Sequence, residues 1–238
     1  YAIVRAIADH HPDMAVTFDR DDNDKPLATR HSQVNIALAI DVERRGERLL
    51  MVPVIKGAEA MSFDEFVDAY QDVVQRTMDN KLTVEDFQGA LVSLTNPGTI
   101  GTVLSVPRLM SGQSVIFGVG KLDYPAAYQG ADPETIAQLG ISKVLTITST
   151  YDHRVIQGAE SGSFLKTLEG LLLGEENFYE SIFADIGVPY VAVEWRRDSN
   201  PADQAGGLVQ KQMSIAMLVN MYRSRGHLIA DLDQALKE

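Results

Sequence analysis

Residues 143–158 read KVLTITSTYDHRVIQG, a strand pattern running through a short polar connection toward a helix. Leu145 and Ile147 alternate with Thr146, Thr148 and Thr150, the period-two signature of a strand with one apolar and one polar face. Gly158 marks a turn. From Ala159 onward, Phe164, Leu165, Leu168, Leu171 and Leu172 recur at the spacing of one helix face and stop near Gly174, a natural C-terminal cap.

Upstream, Val34, Ile36, Leu38, Ile40 and Val42 alternate with Asn35, Ala37, Ala39 and Asp41, which predicts one strand over 34–42, buried on both faces. Glu43 to Arg48 is a charged turn around Gly46, and Leu49 to Ile55 is a second strand despite Pro53, so the pair reads as a hairpin. Ser62 followed by Glu65 is a capping box, and Phe63, Phe66, Val67, Tyr70, Val73 and Val74 continue one apolar helix face. Thr83 and Asp86 repeat the cap in weaker form before Leu91 to Leu94, and a glycine-punctuated loop opens at Asn96. Ser114 to Val119 is strand-like. Ile3, Val4, Ile7 and Ala8 open the chain as a helix face, and the polar run from His11 to Ser32 reads as turns with an edge strand at most. Strands and helices are mixed without regular alternation. The expected fold class is therefore α+β, a mixed or largely antiparallel sheet with helices packed on it.

The 238 residues carry 45% hydrophobic side chains, enough for one large domain, or one and a fragment. Twenty-one Lys plus Arg against 33 Asp plus Glu leave a formal charge of −12, which argues against a general nucleic-acid binder. With no cysteine there is no disulfide, thiol nucleophile or Cys-ligated metal. No apolar run approaches a membrane span and no leader opens the chain, so a soluble, cytoplasmic protein is expected. Tyr1 stands inside a helical pattern, which points to an upstream segment. At the other end Val188 to Trp195 reads as a strand or strap, Arg196 to Gly207 as a linker, and Ile215, Leu218, Val219 and Tyr222 as a helix that opens another domain.

Of the five histidines, His10 and His11 lie with Asp9 and Asp13 at a helix end, where a solvated terminus is a simpler reading than a metal site. His31 and His227 read as surface or packing residues. His153 stands at a strand end, on a rigid support, and an imidazole titrating in general near 6.5 can accept a proton at physiological pH. On spacing alone, a structural histidine hydrogen-bonded between Asp152 and Arg154 is the simpler reading. Thr95, in the loop Thr95-Asn96-Pro97-Gly98-Thr99-Ile100-Gly101, could donate a hydrogen bond to a developing oxyanion, although an ordinary Thr-Asn turn explains the same residues. Neither that loop nor Gly118-Val119-Gly120 matches a phosphate-binding fingerprint.

Four segments in order, Val34 to Asp41, Val52-Pro53-Val54-Ile55, Leu94-Thr95-Asn96-Pro97-Gly98 and Tyr151-Asp152-His153-Arg154-Val155-Ile156-Gln157-Gly158, resemble the catalytic domain of 2-oxo acid dehydrogenase acyltransferases. The resemblance covers about residues 1–187, with 188–207 as a linker. Tyr222-Arg223-Ser224-Arg225-Gly226-His227 and the residues to Asp233 resemble the start of a thiamine-dependent 2-oxoglutarate dehydrogenase component, placing 208–238 at the entrance of a second domain. Both signatures in one chain resemble bacterial enzymes that fuse the two, multifunctional 2-oxoglutarate decarboxylases of the tricarboxylic acid cycle. The resemblance implies a chloramphenicol-acetyltransferase-like fold, a homotrimer, and an active site between subunits in which His153 of one faces Thr95 of the next. It implies coenzyme A and lipoamide as substrates. Thiamine diphosphate and magnesium would be held beyond Glu238, and the partners would be a lipoyl-bearing acyltransferase and dihydrolipoamide dehydrogenase. The Thr-Asn loop is similar to the succinyl-transferring branch. One departure stands out: the family places Asp four residues after the catalytic His, and this chain has Gln157, so charge-dependent orientation is lost there. An assembly core with vestigial chemistry, organising the thiamine-dependent part, is the alternative.

Overall fold

The computed structural model describes residues 1–189. All but the first two residues of the expected linker, and the helix expected over 208–238, lie outside the described residues. The chain opens with α1 (Ala2–Arg5), continued by a π-helical stretch from Ala6 to His10. A hairpin of β1 (Val16–Arg20) and β2 (Pro26–Arg30) follows, where an edge strand at most was expected. Its turn is closed by Asp21, whose Oδ1 accepts from the backbone N–H groups of Asn23 and Lys25, with Asp24 at positive φ.

The single strand expected over 34–42 is two, β3 (Ile36–Leu38) and β4 (Ile40–Arg44), which join different sheets. The expected second strand divides likewise into β5 (Glu47–Met51) and β6 (Val54–Ile55). Pro53 is the reason. It has no N–H to donate, so the ladder cannot run through it, although its carbonyl still accepts from Leu38 (2.9 Å). On the facing strand, Ala39 donates to Leu94 instead (2.9 Å). Beyond this break β4 and β5 continue as a two-stranded arm, closed by Arg45 and Gly46, both with positive φ as a two-residue hairpin turn requires. The hairpin itself is as expected, but burial on both faces holds only for β3, and Leu50 on the arm is 67% exposed.

Helix α2 (Phe63–Met78) starts at the Ser62 capping box, with Glu65 accepting from the Ser62 N–H (3.0 Å). After a capped turn at Val84–Phe87 come β7 (Val92–Thr95), β8 (Val115–Val119), a short α3 (Pro133–Gln138), β9 (Ile147–Tyr151), α4 (Gly158–Leu172) and α5 (Phe178–Asp185). The main sheet has the order β6-β3-β7-β8-β9. β3, β7 and β8 run parallel to one another, and β6 and β9 run antiparallel to their neighbours. It is thus the mixed sheet with packed helices expected from the pattern.

Register assigns the two faces. Val92, Val115 and Phe117 share one face, on which Phe117 stacks on Phe164 of α4 at 4.9 Å, both fully buried in one core with Ile7, Met14, Ile156 and Leu168. Ser93, Thr95, Ile116, Gly118, Thr148 and Thr150 occupy the opposite face. Among the described residues no helix is long and apolar enough to cross a membrane.

Candidate active site

His153 follows β9 on a tightly tied turn. The Asp152 N–H donates to Ser114 O (3.1 Å), Val155 and Ile156 donate back to Asp152 O (3.1 and 2.9 Å), and the fully buried Ile156 anchors the far side. Arg154 folds back onto its neighbour, Nε donating to both oxygens of Asp152 (2.8 and 3.1 Å) and Nη2 to Oδ2 (2.5 Å). That guanidinium holds the Asp152 carboxyl below the usual carboxylate range. The flanking pair therefore satisfy each other. His153 is exposed, touches the Tyr151 ring at 5.6 Å, and makes no side-chain hydrogen bond with another described residue. A structural histidine bonded between Asp152 and Arg154 is not what the fold contains.

Thr95 ends β7, half-buried, opposite Gly118. Its loop turns through Pro97–Ile100 and lies against the end of β8 at close range. A Cβ on Gly98 would sit 2.4 Å from the Gly120 carbonyl, and one on Gly120 would sit 2.0 Å from Val103 O, so only glycine lets these backbones pass. Lys121 N–H to Thr102 O (2.8 Å) and Thr148 Oγ1 to Ser105 O (2.5 Å) complete the clasp. Of the glycines that matched no phosphate motif, Gly98, Gly118 and Gly120 allow close approach and Gly101 closes the turn at positive φ.

Within one chain the two residues stay apart. Tyr151 is level with Val115 and Val92, whereas Thr95 is level with Gly118 and Thr148. Three residues along and two strands across put Tyr151 and Thr95 roughly 14 Å apart, and His153 lies beyond Tyr151 in the opposite direction. Gln157 is the exposed N-cap of α4, its N–H donating to Glu160 Oε2 (2.6 Å). Around the Thr95 end the surface is apolar: Ile100 (72% exposed), Val103, Leu104, Val106 (73%), Leu122, Val144 and Leu145 all face outward. At the His153 end a cleft of about 560 Å³ is walled by Phe18, Arg20, Met110, Gln113, Asp152 and Arg154.

The remaining described histidines are engaged elsewhere. His10 pairs with Glu176 (3.0 Å) and His31 bonds Thr17 (2.8 Å). His11 is not the solvated residue expected. Its Nε2 meets Thr167 Oγ1 (2.8 Å) and its ring sits edge-on to Phe164, and burial, then the neighbouring His10, lowers its pKa below the ordinary 6.5. Among the described residues no cluster of three His, Cys, Asp or Glu could hold a metal ion.

The family profile for 2-oxoacid dehydrogenases acyltransferase (catalytic domain) matches residues 1–179. The chain belongs to the 2-oxoacid dehydrogenase acyltransferase family. It is 51% identical over 234 residues to a multifunctional 2-oxoglutarate metabolism enzyme of Mycolicibacterium vanbaalenii, covering 98% of this chain, and equally to one of Mycobacterium sp. strain JLS. The chain spans 18% of the length of those relatives. Among solved structures, the acyltransferase domain resembles a probable dihydrolipoamide acetyltransferase of Listeria monocytogenes, with TM-score 0.56, 21% identity and 82% and 71% of the two chains covered. It also resembles the cubic core of a pyruvate dehydrogenase multienzyme complex, with TM-score 0.58, 23% identity and 74% and 69% covered. These likenesses establish the acyltransferase-core fold.

Proposed function

We propose that this domain transfers a succinyl group from dihydrolipoamide to coenzyme A, at a site formed by His153 of one subunit and Thr95 of the next. His153 takes the proton of the coenzyme A thiol, and the thiolate attacks the thioester carbonyl. Thr95 donates its hydroxyl to the tetrahedral oxyanion. Collapse breaks the bond to the dihydrolipoyl sulfur, which recovers the proton from the imidazolium, and succinyl-coenzyme A leaves. The observation that carries this reading is the exposed imidazole without a hydrogen-bond partner, on a pinned turn, at the opposite end of the sheet from Thr95. One chain cannot complete the pair, and the outward-facing apolar residues beside Thr95 fit a seam with another copy. Under this reading the copies assemble as a homotrimer, the state the family resemblance implies.

Gln157 is compatible with activity. A dihydrolipoamide acetyltransferase of Azotobacter vinelandii, 23% identical with TM-score 0.57 over 77% and 69% of the two chains, has been investigated for the catalytic roles of a serine, a histidine and an asparagine, the asparagine four positions after the histidine. An amide at that spacing keeps hydrogen-bonding geometry without charge. Succinyl preference rests on Thr95 and on the 2-oxoglutarate chemistry in the names of the relatives. Under the same reading a lipoyl-bearing acyltransferase delivers the substrate in the cytoplasm, dihydrolipoamide dehydrogenase reoxidises the lipoyl group, and thiamine diphosphate and magnesium act in a part of the enzyme beyond this chain.

Purified protein given succinyl-dihydrolipoamide and coenzyme A should form succinyl-coenzyme A, and His153→Ala should abolish that while leaving particle size unchanged. Equal turnover in the variant defeats the assignment. No transfer by the parent, with particle size lost on disrupting the apolar seam, would favour an assembly core instead.

A further inference from the structure

The Arg154 guanidinium lies 3.8 Å from the centre of the Phe18 ring, on the half-buried side of β1. Its edge is engaged by Asp152 through three N–H to oxygen contacts, so both faces of the recognition geometry, fork and plane, are used. Asp152 and Arg154 are the residues immediately before and after His153. We infer that Phe18 and Arg154 are positioning residues for His153: the aromatic ring and the Asp152 carboxylate lock the guanidinium, and the locked side chain fixes the turn from which the imidazole projects.

The β1–β2 hairpin thereby gains a role. Its two strands are closed on each other at the base by Thr17 to His31, and Arg30 reaches Asp13 in the turn just before β1, so the ring sits on a braced hairpin. Without the ring, Arg154, with 62% of its side chain exposed, would have solvent on the face that Phe18 now covers. The Asp152 pair alone restrains the guanidinium edge but not its plane. A 1 Å displacement of a catalytic group is enough to slow an enzyme substantially.

This inference rests on the acyl-transfer reading, and its test separates the two. In the purified full chain, Phe18→Leu keeps apolar bulk and removes the aromatic face, Phe18→Trp keeps the face, and Arg154→Lys keeps charge but loses fork and plane. Phe18→Leu and Arg154→Lys should each lower kcat by about three- to tenfold, with KM for coenzyme A and particle size unchanged. Phe18→Trp should stay within about twofold of the parent. The His153 ring signals in NMR spectra should move in the first two variants and hold in the third, a readout independent of turnover. Phe18→Leu matching the parent in kcat and ring signals, or Phe18→Trp falling as far as Phe18→Leu, overturns the inference. Should Phe18→Leu fail to fold, unchanged kcat and ring signals in Arg154→Lys overturn it alone. A parent that makes no succinyl-coenzyme A defeats the acyl-transfer reading, while the ring signals still decide this one.

Discussion

The proposed transfer needs a base with a ring nitrogen that nothing else in the subunit claims, and His153 offers one while Asp152 and Arg154 are occupied with each other. Thr95 needs only its hydroxyl hydrogen. Thr95→Val keeps the shape and removes that donor, and kcat should fall by about 10²–10³ with KM little changed, as loss of one oxyanion donor does elsewhere. Steady-state kinetics on both substrates checks this. Gln157 sits at the N-terminus of α4, where a carboxylate is favoured by the helix dipole. Gln157→Asp should therefore raise stability in urea by about 0.3–1 kcal/mol without abolishing transfer. His11 supplies a pH signature. Its pKa is lower in the folded than in the unfolded chain, so the unfolded state binds more protons as pH falls through about 6.5. Stability should be full above that value and decline below it toward the depressed folded pKa. His11→Gln, which can still bond Thr167, should flatten that part of a urea-midpoint profile measured against pH.

The elements that position these residues were readable to different depths. Helices α2 and α4 were plain, because a 3.6-residue apolar face, joined at α2 by a capping box, is a local signal that packing then reinforced; the Gln157–Glu160 box that opens α4 emerged only in the structure. The break between β3 and β4 was not, since alternation continues straight through Ala39 and only the facing Pro53 ends the ladder. The β1–β2 hairpin was hidden because all of β2 is exposed, so no apolar alternation marks it. At the site, His153 could be singled out by its place after a strand, but its freedom could not, because that depends on how Arg154 folds. The glycine clasp under Thr95 was invisible for a similar reason: Gly98 and Gly120 are 22 positions apart and meet only in the fold. Gly120→Ala should push Val103 outward and lower transfer, at a stability cost of about 1–3 kcal/mol. Gly130→Ala, with nothing within 4 Å of the added carbon, should change neither. Phe164→Ala, which empties the centre of the core, should cost about 3–5 kcal/mol by calorimetry or urea unfolding.

Across one subunit the sheet separates imidazole from hydroxyl, and the proposed transfer requires a second subunit to reunite them. Subunit complementation measures that directly. His153→Ala and Thr95→Val are each prepared as inactive proteins, then dissociated, mixed in equal amounts and reassembled. A seam that takes His153 from one variant and Thr95 from the other is intact, and random assembly into closed rings makes about a quarter of all seams so. Recovery of about a quarter of parental transfer is expected in the mixture. No recovery, with mixed particles demonstrated by mass spectrometry, would contradict the shared site.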